Sequence, residues 1–177
     1  MDNSDLTAQL SDFQMPLQRS SKDNKPGKLD GLELLTFHSG GHGYAINIMS
    51  VREIRGWSEP TLLPHSKPWQ RGVVNLRGSV LPVLDLAHRL GEGRTKDDPR
   101  NVIVIIEDAG KLHGLLVEAV SDIVRPQDEQ LQDVPISGLG GNPTIAKHLF
   151  VTENIMLQVL SVEVLLEKTS LDDKVAL

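Results

Sequence analysis

Two apolar runs, Val73–Leu76 and Val80–Leu84, flank the tight pair Arg77-Gly78 within the stretch 71–86. Runs this short suit strands rather than helices. A two-residue connection makes the strands antiparallel, and Gly78 tolerates the positive φ that short hairpin turns demand. The chain is therefore committed to β-sheet here, with a charged side chain held out at the hairpin tip. Pro82 cannot donate to a ladder, so its strand is expected to lie at a sheet edge or to carry a bulge. Asp85 is a good N-cap for a short helix, Leu86–Leu90, ended by Gly91. Nothing in the run resembles a nucleophile, a metal cage or a phosphate cradle. It reads as a recognition element.

The same alternation of short strands and turns fills the chain from Gly31 onward. Leu32–Phe37 and Tyr44–Ile48 read as strands around a Gly-rich turn, and Val51–Trp57 as a third extended segment. Residues 59–68 hold Pro60, Pro64 and Pro68 and form a loop. The second half repeats the plan. Val102–Glu107 and Leu112–Val117 form a strand pair, Val120–Arg125 an extended segment, and Gln127–Pro143 a long loop. His148–Glu153 and Met156–Leu160 form a last strand pair, and Ser161 caps a helix over Val162–Lys168. At one constant offset Ile46, Ile48, Val51, Glu53 and Ile54 fall on Leu115, Val117, Val120, Asp122 and Ile123, apolar on apolar and acid on acid. At a slightly larger offset Val83-Leu84-Asp85-Leu86 falls on Val159-Leu160-Ser161-Val162, each a strand, a polar cap and a helix start. The expectation is a mainly β fold of two small barrels of about five strands, packed together. Their closure would protect sheet edges. The expected halves are 31–95 and 96–168, between a polar tail over 1–30 and a frayed tail over 169–177. Within the first tail Leu6, Leu10, Phe13 and Leu17 lie at helical spacing, with Ser4 as a possible cap and Pro16 as a breaker.

Composition excludes several function classes. The chain has no Cys, which removes disulfides, thiolate metal sites and Cys catalysis, and suits a cytosolic protein. The net charge is −6, the basic residues are scattered, and aromatics are 3% of the chain. Neither a basic face for nucleic acid nor a base-stacking platform is expected. No run approaches a membrane span, and no secretory signal is expected. The six histidines, His38, His42, His65, His88, His113 and His148, lack the spacing of a metal site. The Gly-rich pieces are turns rather than phosphate loops. The acid pairs Asp97-Asp98 and Glu107-Asp108 sit beside turns and read as solvated, and no Gly-x-Ser-x-Gly elbow is present. No catalytic constellation, cofactor site or metal site is expected.

Glu53 stands apart. Strand alternation would put it on one face with Val51 and Arg55. A partly shielded acid beside apolar neighbours needs a cationic partner. Arg77 is the favoured candidate, with Arg52 and Arg55 as local competitors.

These pieces together resemble the CheW-like family, the coupling proteins of chemosensory arrays. The resemblance rests on Val51-Arg52-Glu53-Ile54-Arg55, on Gly72 through Gly78, on Leu81-Pro82-Val83-Leu84-Asp85-Leu86 and on Gly114 through Ile123, an ordered set spanning roughly residues 31–168. It implies two SH3-like five-stranded barrels around a shared core, and no catalysis. It implies a cytoplasmic adaptor, recruited to receptor arrays, that links the tip of a methyl-accepting chemoreceptor to the regulatory domain of the histidine kinase CheA. No phosphate-receiver domain is expected after the barrels. An adaptor for surface motility or another non-flagellar output fits equally, and a small-ligand barrel is the distant alternative. The family's sensitive positions fall on Val51, Glu53, Gly72, Arg77 and Gly78, with Glu53 and Arg77 as a surface ion pair. A receptor helix is expected in a groove between the barrels, with Ile46, Ile48, Val51, Leu115 and Val117 lining it or the core behind it. The kinase domain is expected at a barrel end with exposed strand edges, near Pro82.

Overall fold

The computed structural model describes residues 31–134 and 145–166. The expected helix over Leu6–Leu17, the Gly-rich piece after Val134 and the two tails lie outside the described residues. Among the described residues are eleven strands. In chain order they are β1 (Leu34–Ser39), β2 (His42–Asn47), β3 (Val51–Gly56), β4 (Gln70–Leu76) and β5 (Ser79–Asp85), then β6 (Val102–Asp108), β7 (Lys111–Val117), β8 (Ala119–Val124), β9 (Leu131–Asp133), β10 (Ala146–Val151) and β11 (Met156–Leu160). The short helix α1 spans Leu86–Arg89. Asp85 caps it, its side chain accepting from the His88 N–H. A second helical stretch runs over 162–166, where Ser161 Oγ accepts from the Val164 N–H. The fold is mainly β, as expected.

The strands form two sheets, one ordered β8-β1-β2-β11-β10-β9 and the other β3-β6-β7-β5-β4. The sheets do not follow the two sequence halves. The first hairpin, β1–β2, lies among strands of the second half, and the hairpin β6–β7 lies among strands of the first. The reason is visible in two short parallel pairings. Ala45 pairs with Val159 in one sheet, and Gly114 pairs with Val83 in the other. These pairs are equivalent under the sequence repeat, so each half lends its leading hairpin to the other half's sheet. The contiguous halves 31–95 and 96–168 therefore describe the repeat but not the sheets.

Each sheet buries both faces. One face of each feeds a shared core that includes Leu35, Phe37, Tyr44 and Ile46 from the first sheet and Leu84, Val104, Ile106, Leu115 and Val117 from the second. The other face of each closes over a cluster of its own. In the six-stranded sheet that cluster is Leu34, Ala45, Phe150, Leu157 and Val159. In the five-stranded sheet it is Leu76, Leu81, Val83, Ile103, Ile105 and Leu116. Strands buried on both sides read as continuous apolar runs, which is why Val102–Ile106 shows no alternation.

Two local expectations are corrected. Strand β5 is not at an edge but interior, between β4 and β7, and its ladder to β4 carries a register shift opposite Val83 and Leu84. Pro82 is tolerated because only Val83, Leu84 and Asp85 pair with β7, so the edge facing β7 is open at Pro82 itself. The loop expected over 127–143 begins with a 3-10 turn, Asp128–Gln130, and the strand β9, which pairs with β10.

Candidate functional site

The outer strands of the five-stranded sheet are β3 and β4, and each carries an irregularity. Between Val51 and Glu53 the register to β6 shifts by one residue, the mark of a β-bulge at Arg52. Val51 pairs with Ile106 and Glu53 with Ile105. Ile106 belongs to the shared core and Ile105 to the sheet's own cluster, so Val51 and Glu53 point to opposite faces. This corrects the expected alternation: Glu53 shares its face with Arg55, not with Val51. Arg52 reaches instead to Glu107, with which it forms an ion pair.

At the far edge, the β4–β5 turn has Arg77 at φ 50° and Gly78 at φ 87°. Two positive φ values at the central positions define the type I′ turn that matches strand twist. The Gly78 N–H donates to Asn75 Oδ1 at 2.9 Å, fixing the tip. Arg77 Nη2 lies 3.2 Å from Glu53 Oε2, with the Arg77 side chain 79% exposed and that of Glu53 30%. Arg55 Nε lies 3.9 Å from the other carboxylate oxygen. Of the three candidate partners, Arg77 is the closest ion pair, Arg55 a looser one, and Arg52 is engaged elsewhere. Two arginines about one carboxylate leave the patch net positive, beside the exposed apolar side chain of Val80.

The contact also reports curvature. In a flat sheet β3 would lie about 14–19 Å from the β5–β4 hairpin, at roughly 4.8 Å per strand. Glu and Arg side chains cannot span that gap, so the sheet must curl until its two ends approach. Trp57, just after β3, makes a second bridge: the Arg71 guanidinium on β4 lies 5.8 Å from its ring centroid. Side chains thus draw the barrel together at its seam, beside the backbone bridge between Thr61 and Val73.

The remaining expected site residues separate into two groups. Gly78 sits at the exposed tip, while Ile48 and Val51 are half-buried and pack against the shared core. Ile46, Leu115 and Val117 are fully buried. They belong to the core, the second of the two placements expected for them, and do not line a groove; inward-facing strand residues of a two-layer fold look alike in sequence whether a partner or a second sheet covers them. Beside Ile48 and Val51 the same segment exposes Met49 and Ile54. Gly72 is buried, and its role is steric. It adopts φ 133°, and a Cβ there would overlap the Thr61 carbonyl. Thr61 and Val73 exchange two backbone hydrogen bonds of 2.8 and 2.9 Å, which pin the proline-rich loop onto β4.

Behind this seam lies a polar network that no sequence motif marks. Arg71 is 4% exposed. Its Nη1 donates to the Thr95 carbonyl at 2.9 Å and lies 3.4 Å from Asp85 Oδ2, and its Nη2 pairs with Asp97. Asp85, fully buried, also accepts from the Thr95 N–H at 2.9 Å and from Thr95 Oγ1 at 2.7 Å. Asp97 and Asp98 are therefore not merely solvated. Hydrogen bonds from the Arg100 side chain, then from its backbone N–H, bring the Asp98 carboxyl down to about 2. The histidines make separate contacts: His42 Nδ1 lies 2.9 Å from Glu92, and His38 Nδ1 lies 3.1 Å from Ser121 Oγ. Among the described residues no group of three or more His, Asp or Glu side chains is placed to hold a metal ion. No helix among them is long and apolar enough to cross a membrane.

Comparison with known proteins agrees with this architecture. The family model of the CheW-like domain matches residues 33–170. The chain is 41% identical over 137 residues to the "Probable chemotaxis protein CheW" of Rhizobium etli, covering 77% of this chain and 88% of that protein. It is 37% identical over 133 residues to the "Chemotaxis protein CheW" of Rhizobium meliloti, covering 75% and 86%. The crystal structure of the scaffolding protein TtCheW from Thermoanaerobacter tengcongensis superposes with a TM-score of 0.70 at 24% identity, covering 77% of this chain and 92% of that one. This chain belongs to the CheW-like domain family.

Proposed function

We propose that this protein is a non-catalytic coupling scaffold of a chemosensory system, joining a chemoreceptor's cytoplasmic tip to the regulatory domain of the histidine kinase CheA. It acts in the cytoplasm, at receptor arrays. The observation that carries the reading is the Glu53–Arg77 pair, mounted on an outer strand and a hairpin tip and exposed at a curled seam. An ion pair this exposed contributes only about 0–1 kcal/mol to the fold. Its worth lies in the charge and shape it presents, because polar groups at an interface rim set specificity and association rate more than raw affinity. The relatives' names, which speak of chemotaxis, supply the biological setting.

The receptor's helical tip is assigned to the apolar strip Ile48, Met49, Val51 and Ile54, in a helix-in-groove mode. The kinase domain is assigned to the β4–β5 hairpin with Arg77, Gly78 and Val80. Capture of a receptor cytoplasmic fragment and the kinase regulatory domain by the purified protein tests the reading. Wild-type protein that captures neither partner rejects it.

A further inference from the structure

We propose that Arg71 is the positioning residue of this seam, coupling the loop after α1 to the end of β3 and so setting the geometry in which Glu53 meets Arg77. The inference rests on the reading of the Glu53–Arg77 edge as a docking surface.

Arg71 occupies a second bulge. Gln70 pairs with Leu84 and Gly72 with Val83, so Arg71 is the extra residue of β4. A bulge re-aims a side chain, and here it turns a guanidinium into the interior. That one group ties its own strand to three other parts of the chain. It is carried by β4, contacts the α1 cap Asp85, binds the Thr95 carbonyl and Asp97 in the following loop, and lies on the Trp57 ring at the exit of β3. Trp57 in turn packs against the sheet's own apolar cluster. Among the described strands β3 pairs only with β6, and the chain beyond it reaches β4 through the Thr61–Val73 backbone bridge, so at β3 itself and at Trp57 the seam is spanned by side chains. Of the two side-chain bridges, Glu53–Arg77 is exposed, while Trp57–Arg71 is backed by a buried, multiply bonded cation.

The arrangement needs arginine. A planar guanidinium can donate in two directions in its plane while its face lies on an aromatic ring. A lysine ammonium in the same place keeps the charge but cannot meet both acceptors and the ring together. Charge alone is therefore insufficient.

Hydrogen–deuterium exchange and partner binding, measured together on the full chain, test this. In Arg71→Lys, exchange is expected to accelerate about tenfold both in β3 and in residues 92–97, with β10 and β11 unchanged, as for a local opening. Capture of the receptor fragment and kinase domain is expected to weaken in the same variant. In Trp57→Leu, β3 is expected to loosen while residues 92–97 stay protected, because only the far link is cut. The Trp57 variant decides the matter if Arg71→Lys does not fold. Unchanged protection of β3 in either folded variant overturns the proposal, as does equal acceleration in β10 and β11. If wild-type protein captures no partner, the docking reading fails, yet the exchange pattern still decides whether Arg71 couples the loop to β3.

Discussion

Glu53 and Arg77 lie at opposite ends of the strand order of one sheet and meet at 3.2 Å. The pair is solvent-exposed, so its loss should barely affect folding. Glu53→Lys and Arg77→Glu are each expected to shift stability by under about 1 kcal/mol, or about 2–4 °C in Tm. Thermal melts check this; a collapse of either variant would mean that the pair is structural.

Arg77 itself is poorly suited to its turn. A non-glycine residue at positive φ is strained by its Cβ, and a type I′ turn prefers Asn before Gly. Arg77→Asn is therefore expected to stabilise the protein by about 0.5 kcal/mol and to weaken partner capture. Urea midpoints and binding measured on the same preparation would expose this opposition; a variant no more stable than wild type contradicts the turn argument.

Gly72 and Gly78 separate sterics from conformation. Both have positive φ, but a Cβ at Gly78 meets open space while one at Gly72 strikes the Thr61 backbone. Gly78→Ala is expected to cost about 1 kcal/mol, and Gly72→Ala about 1–3 kcal/mol more. Chemical denaturation of both variants gives the difference, and equal costs would show that the loop is not held by this close approach.

Leu115 tests the division between core and surface. It is fully buried in the shared core. Leu115→Ala is expected to cost about 2–5 kcal/mol in unfolding free energy. Any variant protein that remains folded should bind partners normally. Selective loss of binding at undiminished stability would return this residue to a contact surface.

His113 gives a pH dependence. Burial lowers its pKa from the ordinary 6.5, partly opposed by the nearby Asp108 carboxylate. Between the folded and unfolded pKa values the unfolded chain binds more protons, so stability rises with pH there. The contribution is complete above about 6.5 and is lost as pH falls toward the folded value. Unfolding midpoints at pH 7 and pH 5 should therefore differ less for His113→Gln than for wild type. Identical pH profiles would place the dependence on other groups.

Much of this fold is legible in the sequence, because its signals are local. Arg77-Gly78 announces its hairpin, Asp85 its cap, and the repeat of Val51-to-Ile54 in Val120-to-Ile123 announces the doubled plan. What the sequence hides is non-local. Hairpin exchange between the sheets depends on the pairs Ala45–Val159 and Gly114–Val83, which are far apart in the chain. The bulges at Arg52 and Arg71 leave no mark in composition, yet one turns Glu53 to the other face and the other buries a cation. Apolar residues such as Ile46 and Leu115 look the same whether a partner or a second sheet covers them. The ion pair was legible because Glu53 needed a cation and few were in reach.

The most direct measurement is binding of wild-type and Arg77→Glu protein to a receptor cytoplasmic fragment and to the kinase regulatory domain, with folding verified on the same samples. Wild type is expected to bind both, and the folded variant to lose the kinase domain. A folded Arg77→Glu protein that binds both partners with wild-type affinity contradicts it.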